Sequence, residues 1–308
     1  MTYFFDFMKQ LTKRSNLGIL IYFVINIWIV AYFFSGGFEN GNGMVAGIII
    51  YGISLCLAIS PLGEWILRLQ TGCREITDPE VLERLQPLFQ EVHEKAKRLN
   101  PSLPDDVKLF MNHEEQPNAF ATGRKTICLT KGFLNYSDEE IKAVLAHEFG
   151  HLSHKDTDFI LLIAVGNFIV SGIFLLMRIM VSIMGIMGLV NEDGRGGGTK
   201  LYFFTYLLDG FLAILMWLWT KLGIVLVMHS SRQNEFLADE FSFRCGYGSA
   251  LITSLSSFGT EGRTGLWANL VSSHPDMKVR IEKLLALEDE EERGKVGMMK
   301  GENSIEVE

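Results

Sequence analysis

The chain has 308 residues, of which 48% are hydrophobic and only 21% charged, a balance too apolar for an ordinary soluble domain. A net charge of -8 with no lysine or arginine cluster argues against nucleic acid as a partner, because phosphate binding needs a basic face. The four cysteines, Cys56, Cys73, Cys128 and Cys245, form no C-x-x-C pair, so they read as small buried hydrophobes in a reducing compartment rather than as a disulfide framework or a thiolate metal site.

Leu17 to Phe34, "LGILIYFVINIWIVAYFF", is almost wholly apolar, and at about 1.5 Å per residue it is long enough to cross roughly 30 Å of hydrocarbon. The glycine-rich "SGGFENGNG" leads straight into a second apolar run, Met44 to Leu62, so the two form a hairpin of spans rather than a cleavable signal peptide. Lys9, Lys13 and Arg14 precede the first span, the connecting loop has no lysine or arginine, and Arg68 and Arg74 follow the second. The positive-inside rule then places both flanks in the cytoplasm.

An aqueous segment follows. "PEVLERLQPLFQEVHEKAKRLN" has helical spacing and is broken by Pro101 and Pro104, and "VKLFM", "NAFATG" and "TICLTKGF" are short β-type runs that predict a small sheet or hairpin. Ser137 and Glu140 make a capping-box signature, after which Ile141, Val144, Leu145, Phe149 and Leu152 recur at helical spacing. That amphipathic helix carries "AHEFGHLSHKD". His147 and His151 lie one turn apart on one side and can share a zinc ion, with Glu148 beside them as a proton acceptor. Neutral imidazoles bind zinc without cancelling its charge, and a carboxylate next to an open coordination position can act as base and then acid. His154 reads as a helix-end residue near the site.

A third apolar stretch, Phe159 to Val190, and a fourth, Leu201 to Met228, are joined by "NEDGRGGGTK" and return the chain to the cytoplasm. Arg178, inside the third, is expected to snorkel or to face another helix. Two carboxylates compete as third ligand. Asp209 lies within the fourth stretch, in the manner of site-2 proteases, but the histidine helix is flanked by charge and so is not at bilayer depth. Glu235, in "SSRQNEFLADEF" after the fourth span, fits better, and Asp239 one turn later can accept a hydrogen bond from the outer nitrogen of a ligating imidazole.

"NAFATG", "HEFGH", "SRQNEFLAD" and "SHPDMKVRI", in chain order, resemble the HtpX-type membrane zinc metalloproteases, relatives of the CAAX prenyl proteases. The resemblance covers most of the chain. It implies a mainly α membrane protein with four transmembrane helices and a zincin-like cytoplasmic catalytic core containing a small β-sheet. It further implies one zinc ion held by His147, His151 and Glu235, Glu148 as general base and Asp239 hydrogen-bonded behind the ligands. Asn118, Ala119 and Phe120 would form an edge strand that takes an extended substrate as an added strand, His274 would reach the scissile carbonyl, and Arg280 would orient the site. Asn234 and Phe236 replace a basic residue and a tyrosine common in the family, and "DEFSFRCGY" replaces a run usually rich in small residues.

The expected division is a transmembrane hairpin over 1–63, a cytoplasmic segment over 64–156, a second transmembrane pair over 157–228, a cytoplasmic helical segment with the third ligand over 229–287, and an acidic, disordered tail over 288–308. The expected function is endopeptidase action on misfolded membrane proteins at the inner or plasma membrane, with polypeptide substrates, the lipid bilayer and no nucleic acid as partners. Prenyl-protein or site-2-like processing and a non-catalytic membrane scaffold stand as alternatives.

Overall fold

The computed structural model describes residues 9, 11–13, 16–190, 197–257 and 277–302. In chain order the helices are α1 (Leu17–Ser35), α2 (Gly41–Ala58), α3 (Pro61–Gln70) and α4 (Pro79–Leu99). Three strands follow, β1 (Lys108–Asn112), β2 (Ala119–Thr122) and β3 (Thr126–Thr130). Next come α5 (Asp138–His154), α6 (Asp156–Gly166), α7 (Phe168–Val190), α8 (Gly197–Ser242), α9 (Gly248–Ser257) and α10 (Met277–Glu302). The chain divides into two compact units, one of residues Met1–Trp65 and Phe159–Val227, the other of Ile66–Asp158 and Met228–Glu308.

The first unit is helical and apolar on its outside. Four helical stretches, Leu17–Ser35, Gly41–Ala58, Thr157–Val190 and Gly197–Gly223, are long and apolar enough to span a bilayer, and large side chains such as Trp28, Phe203 and Tyr206 face outward, as lipid contact requires. Helices α1 and α2 pack closely because Gly43 and Gly47 present no side chain there: a Cβ on Gly47 would lie 3.0 Å from the Val30 carbonyl oxygen. Tyr22 stacks on Trp219 at 4.8 Å, and the Trp219 indole N–H donates to Asn26 Oδ1 at 2.9 Å. Arg178 does face another helix: it grips Asp209 of α8 with two hydrogen bonds, Nε to Oδ1 at 2.7 Å and Nη2 to Oδ2 at 3.1 Å. Each charge thereby satisfies the other in a segment where either alone is costly.

The second unit is built around α5. Its N-terminus carries the reciprocal capping box, with Glu140 N–H donating to Ser137 Oγ and Ser137 N–H to Glu140 Oε2. A single apolar stripe predicts an amphipathic helix, yet α5 is buried from Ala143 to Leu152 on every side. Its apolar face meets α4, where Leu85, Phe89, Val92 and Ala96 recur at helical spacing, and the sheet. Its polar face is also covered, by the end of α8.

The sheet has strand order β1-β3-β2, with β1 parallel and β2 antiparallel to β3. Alternation sends Leu109, Met111, Ile127, Leu129, Ala119 and Ala121 toward the α5 core, and Phe110, Cys128 and Phe120 to the opposite face. Helix α10 runs to Glu302, through much of the stretch whose composition predicts a disordered tail. Glutamate is the commonest residue in that stretch, and with Arg293, Lys295, Met298, Met299 and Lys300 it is a good helix former, so charge alone does not keep it unfolded.

Candidate metal centre

Helix α5 and the C-terminal part of α8 meet at a glycine. Gly150 sits between the two histidines, and a Cβ placed on it would lie 2.7 Å from the Ala238 Cα. Only a residue without a side chain lets the α8 backbone come this near. The close approach carries Glu235 and Asp239, on either side of Ala238, onto His147 and His151.

The result is a buried triad. His147 Nε2 and His151 Nε2 are 3.2 Å apart, Glu235 Oε2 lies 3.5 Å from the first and Glu235 Oε1 3.3 Å from the second. All three side chains offer a ligand atom within 4.8 Å of the others. Metal–nitrogen bonds of about 2.0–2.1 Å at a tetrahedral angle would set two imidazole nitrogens roughly 3.3 Å apart, so the donor set fits a tetrahedral divalent ion with one position left over.

Charge around the triad favours a cation. Asp239 Oδ1 is 2.9 Å from His147 Nδ1, which fixes the proton on that nitrogen and turns the Nε2 electron pair toward the cluster. Burial works against a charge on Asp239, but the Arg280 fork and the His147 N–H outweigh it and hold the carboxyl at about 2. Arg280 makes this grip with Nε to Oδ2 at 2.8 Å and Nη2 to Oδ1 at 2.6 Å, and its Nη1 lies 3.2 Å from Glu235 Oε2. Burial also opposes charge on His147, yet Asp239 and Glu235 raise its affinity for a proton above that of a free imidazole.

Glu148 points from α5 to the sheet, where its Oε2 accepts the Ala121 N–H of β2 at 2.6 Å. Among the described residues β2 pairs with β3 alone, so this N–H belongs to the outer edge of the sheet. Of the proposed substrate segment, Ala119 and Phe120 lie in β2. Asn118 precedes it and is tied to Thr130 through its N–H and its carbonyl.

His154 closes α5 with Nδ1 2.8 Å from the Gly150 carbonyl, and Asp209 is occupied by Arg178. His274 lies outside the described residues. Phe236, one of the departures from the family pattern, carries the Lys283 ammonium 3.3 Å from its ring centre. Residue spacing gave little notice of two contacts, the Ala121 N–H and the Arg280 fork. The first has no side-chain signal at all, and the second is a single arginine in a distant motif.

The sequence profile of Peptidase family M48 matches residues 82–288, two thirds of the chain, and spans the whole triad. The chain belongs to peptidase family M48. It is 29% identical over 307 residues to Protease HtpX of Ectopseudomonas mendocina, covering 90% of this chain and 98% of that one. It is likewise 29% identical over 307 residues to Protease HtpX of a Psychrobacter species, covering 88% and 94%. Among solved structures, the crystal structure of S. mikatae Ste24p is similar at TM-score 0.45 and 18% identity, over 92% of this chain and 65% of that chain. With four candidate spans among the described residues and this family assignment, the M48 chain is a multi-pass membrane metallopeptidase acting on polypeptides.

Proposed function

We propose that this M48 protein is a zinc-dependent endopeptidase that cuts cytoplasmic, membrane-proximal segments of misassembled membrane proteins. The convergence of His147, His151 and Glu235 from two distant helices carries the reading. The positive residues flanking the first two spans support a cytoplasmic site. The quality-control role is supported by the similarity to HtpX proteases.

In this reading His147, His151 and Glu235 hold one zinc ion, which when bound supplies a Lewis acid for the scissile carbonyl and makes water acidic enough to attack. Asp239 keeps the His147 ring in the tautomer and orientation that face the ion, and Arg280 neutralises the buried carboxylates behind it. Glu148 accepts the proton of the attacking water and returns it to the leaving amine. The substrate lies extended along the edge of β2, from Asn118 to Phe120, held by backbone hydrogen bonds that demand little of its sequence. His274, by family resemblance, donates to the developing charge on the carbonyl oxygen.

The test uses purified full-length protein. Glu148→Gln is expected to keep zinc and lose cleavage of casein and of itself, whereas Glu235→Gln loses zinc. Unchanged proteolysis by Glu148→Gln would remove that residue as the base, and a metal-free wild type purified without chelator would remove the enzyme reading in favour of a scaffold.

A further inference from the structure

The face of the sheet turned away from α5 holds a second cluster of reactive side chains. Phe110, Cys128 and Phe120 lie side by side across β1, β3 and β2, paired in register. Cys73, on the chain just after α3, closes over them, forming a small buried cluster with Phe110 and Cys128 against which Phe120 packs. The two thiols share this one buried cluster although they are far apart in sequence. Hydrogen-bond register and the fold, rather than any C-x-x-C spacing, bring them together.

The two sulfurs are not equivalent. Cys128 is wholly enclosed, whereas Cys73 keeps 7% of its surface open. Thr71 Oγ1 lies 3.2 Å from Cys73 Sγ, where its hydroxyl can rotate to donate to a thiolate. Arg68 stands over the same cluster, its guanidinium 5.0 Å from the Phe110 ring centre and donating to Thr126 Oγ1. The neighbouring Cys128 thiol favours a thiolate at Cys73; burial opposes it, and Thr71 and the Arg68 charge add to the favourable side, so its pKa falls below that of a free thiol. The same partnership, together with burial, drives Cys128 the other way.

We propose that Cys73 and Cys128 are a reversible dithiol–disulfide pair oxidised by hydrogen peroxide or an organic hydroperoxide. The Cys73 thiolate attacks the peroxide oxygen and breaks the O–O bond, giving a sulfenic acid and releasing hydroxide or alkoxide, which takes up a proton. Cys128 then attacks the sulfenic sulfur, its own proton leaves with the hydroxyl as water, and the S–S bond forms. Two thiols lose two electrons in all, and the peroxide is reduced to two waters or to water and an alcohol. In a reducing compartment such bonds are transient and sensory rather than structural. Assigning the pair to that compartment rests on the cytoplasmic orientation proposed above; the chemistry at the two sulfurs does not. The oxidised pair fastens the segment after α3 to β3, directly behind the strand whose outer edge meets Glu148.

The experiment takes full-length wild-type protein in detergent, exposes it to hydrogen peroxide, alkylates it under denaturing conditions and maps the peptides by mass spectrometry. Half of the four thiols are expected to be lost, with the peptides carrying Cys73 and Cys128 recovered as one linked species that a phosphine reductant separates. In Cys128→Ser, dimedone is expected to label Cys73 as a trapped sulfenic acid. Recovery of both cysteines as thiols after peroxide, or oxidation confined to Cys56 or to Cys73 as a sulfinic acid in the wild type, overturns the proposal. Neither result depends on proteolytic activity, so a failure here is distinct from a failure of the enzyme reading.

Discussion

Ala238 rests directly on the bare backbone of Gly150, with 2.7 Å between its Cα and the place where a Cβ on residue 150 would lie. Gly150→Ala therefore has no room unless α5 and α8 separate. Overpacking of this kind costs about 1–3 kcal/mol, and the separation also pulls Glu235 away from the histidines. The variant is expected to melt below the wild type and to bind less than a full equivalent of zinc by elemental analysis; normal zinc content at normal stability would show that the helices have slack.

Asp239 and Arg280 form the second tier beneath the triad. Asp239→Asn keeps the shape but weakens the hold on the His147 N–H, and zinc affinity is expected to fall by about 10–100-fold in competition with a chelator. Arg280→Met leaves Asp239 and Glu235 buried without their cation, a loss of roughly 3–5 kcal/mol for a broken buried pair. A chelator titration that does not distinguish Asp239→Asn from wild type would remove Asp239 from any role in metal binding.

Glu91 gives an acid-side prediction. Lys142, then Lys95 and the Tyr247 hydroxyl, stabilise its carboxylate and lower the pKa to about 2. A pKa lowered by folding adds stability above the unfolded value of about 4.3, and that share is lost as the pH falls toward 2. Glu91 is 42% exposed, so screening keeps the share at about 1 kcal/mol or less. The melting difference between wild type and Glu91→Gln is expected to be present at pH 7 and to shrink steadily below pH 4.5; a difference independent of pH would assign the effect to packing.

Arg178 and Asp209 make the corresponding prediction for the membrane unit. Asp209→Leu leaves a guanidinium unpaired in an apolar segment, at about 2.5–3.5 kcal/mol on insertion scales. The double variant Arg178→Leu, Asp209→Leu removes both charges and is expected to be more stable than either single one in detergent melting. Additive losses in that cycle would show that the two side chains contribute independently.

Residues reveal such features when they leave a trace along one dimension. The spans are legible because apolar length is itself a linear property, and α5 because a capping box precedes its periodic stripe. Glu235 and Asp239 are legible because they sit one turn apart on a helical pattern, as the two histidines do. Strand alternation reports which side chains share a face but not which strand lies beside which, so the parallel pairing of β1 with β3 is invisible before folding. The contacts of Arg178 with Asp209, Cys73 with Cys128 and Ala121 with Glu148 depend on that missing neighbour information. The burial of α5 on its polar side has the same origin: its histidines and glutamate are covered by groups from elsewhere in the chain.

The amide of Ala121 has two claimants. One is the Glu148 carboxylate, which it holds at 2.6 Å. The other, in the function proposed above, is a polypeptide annealing to that border of the sheet, whose carbonyl oxygens would draw on the same donor. On that proposal, arrival of the client would compete with the tether on Glu148 and loosen it for the chain about to be severed.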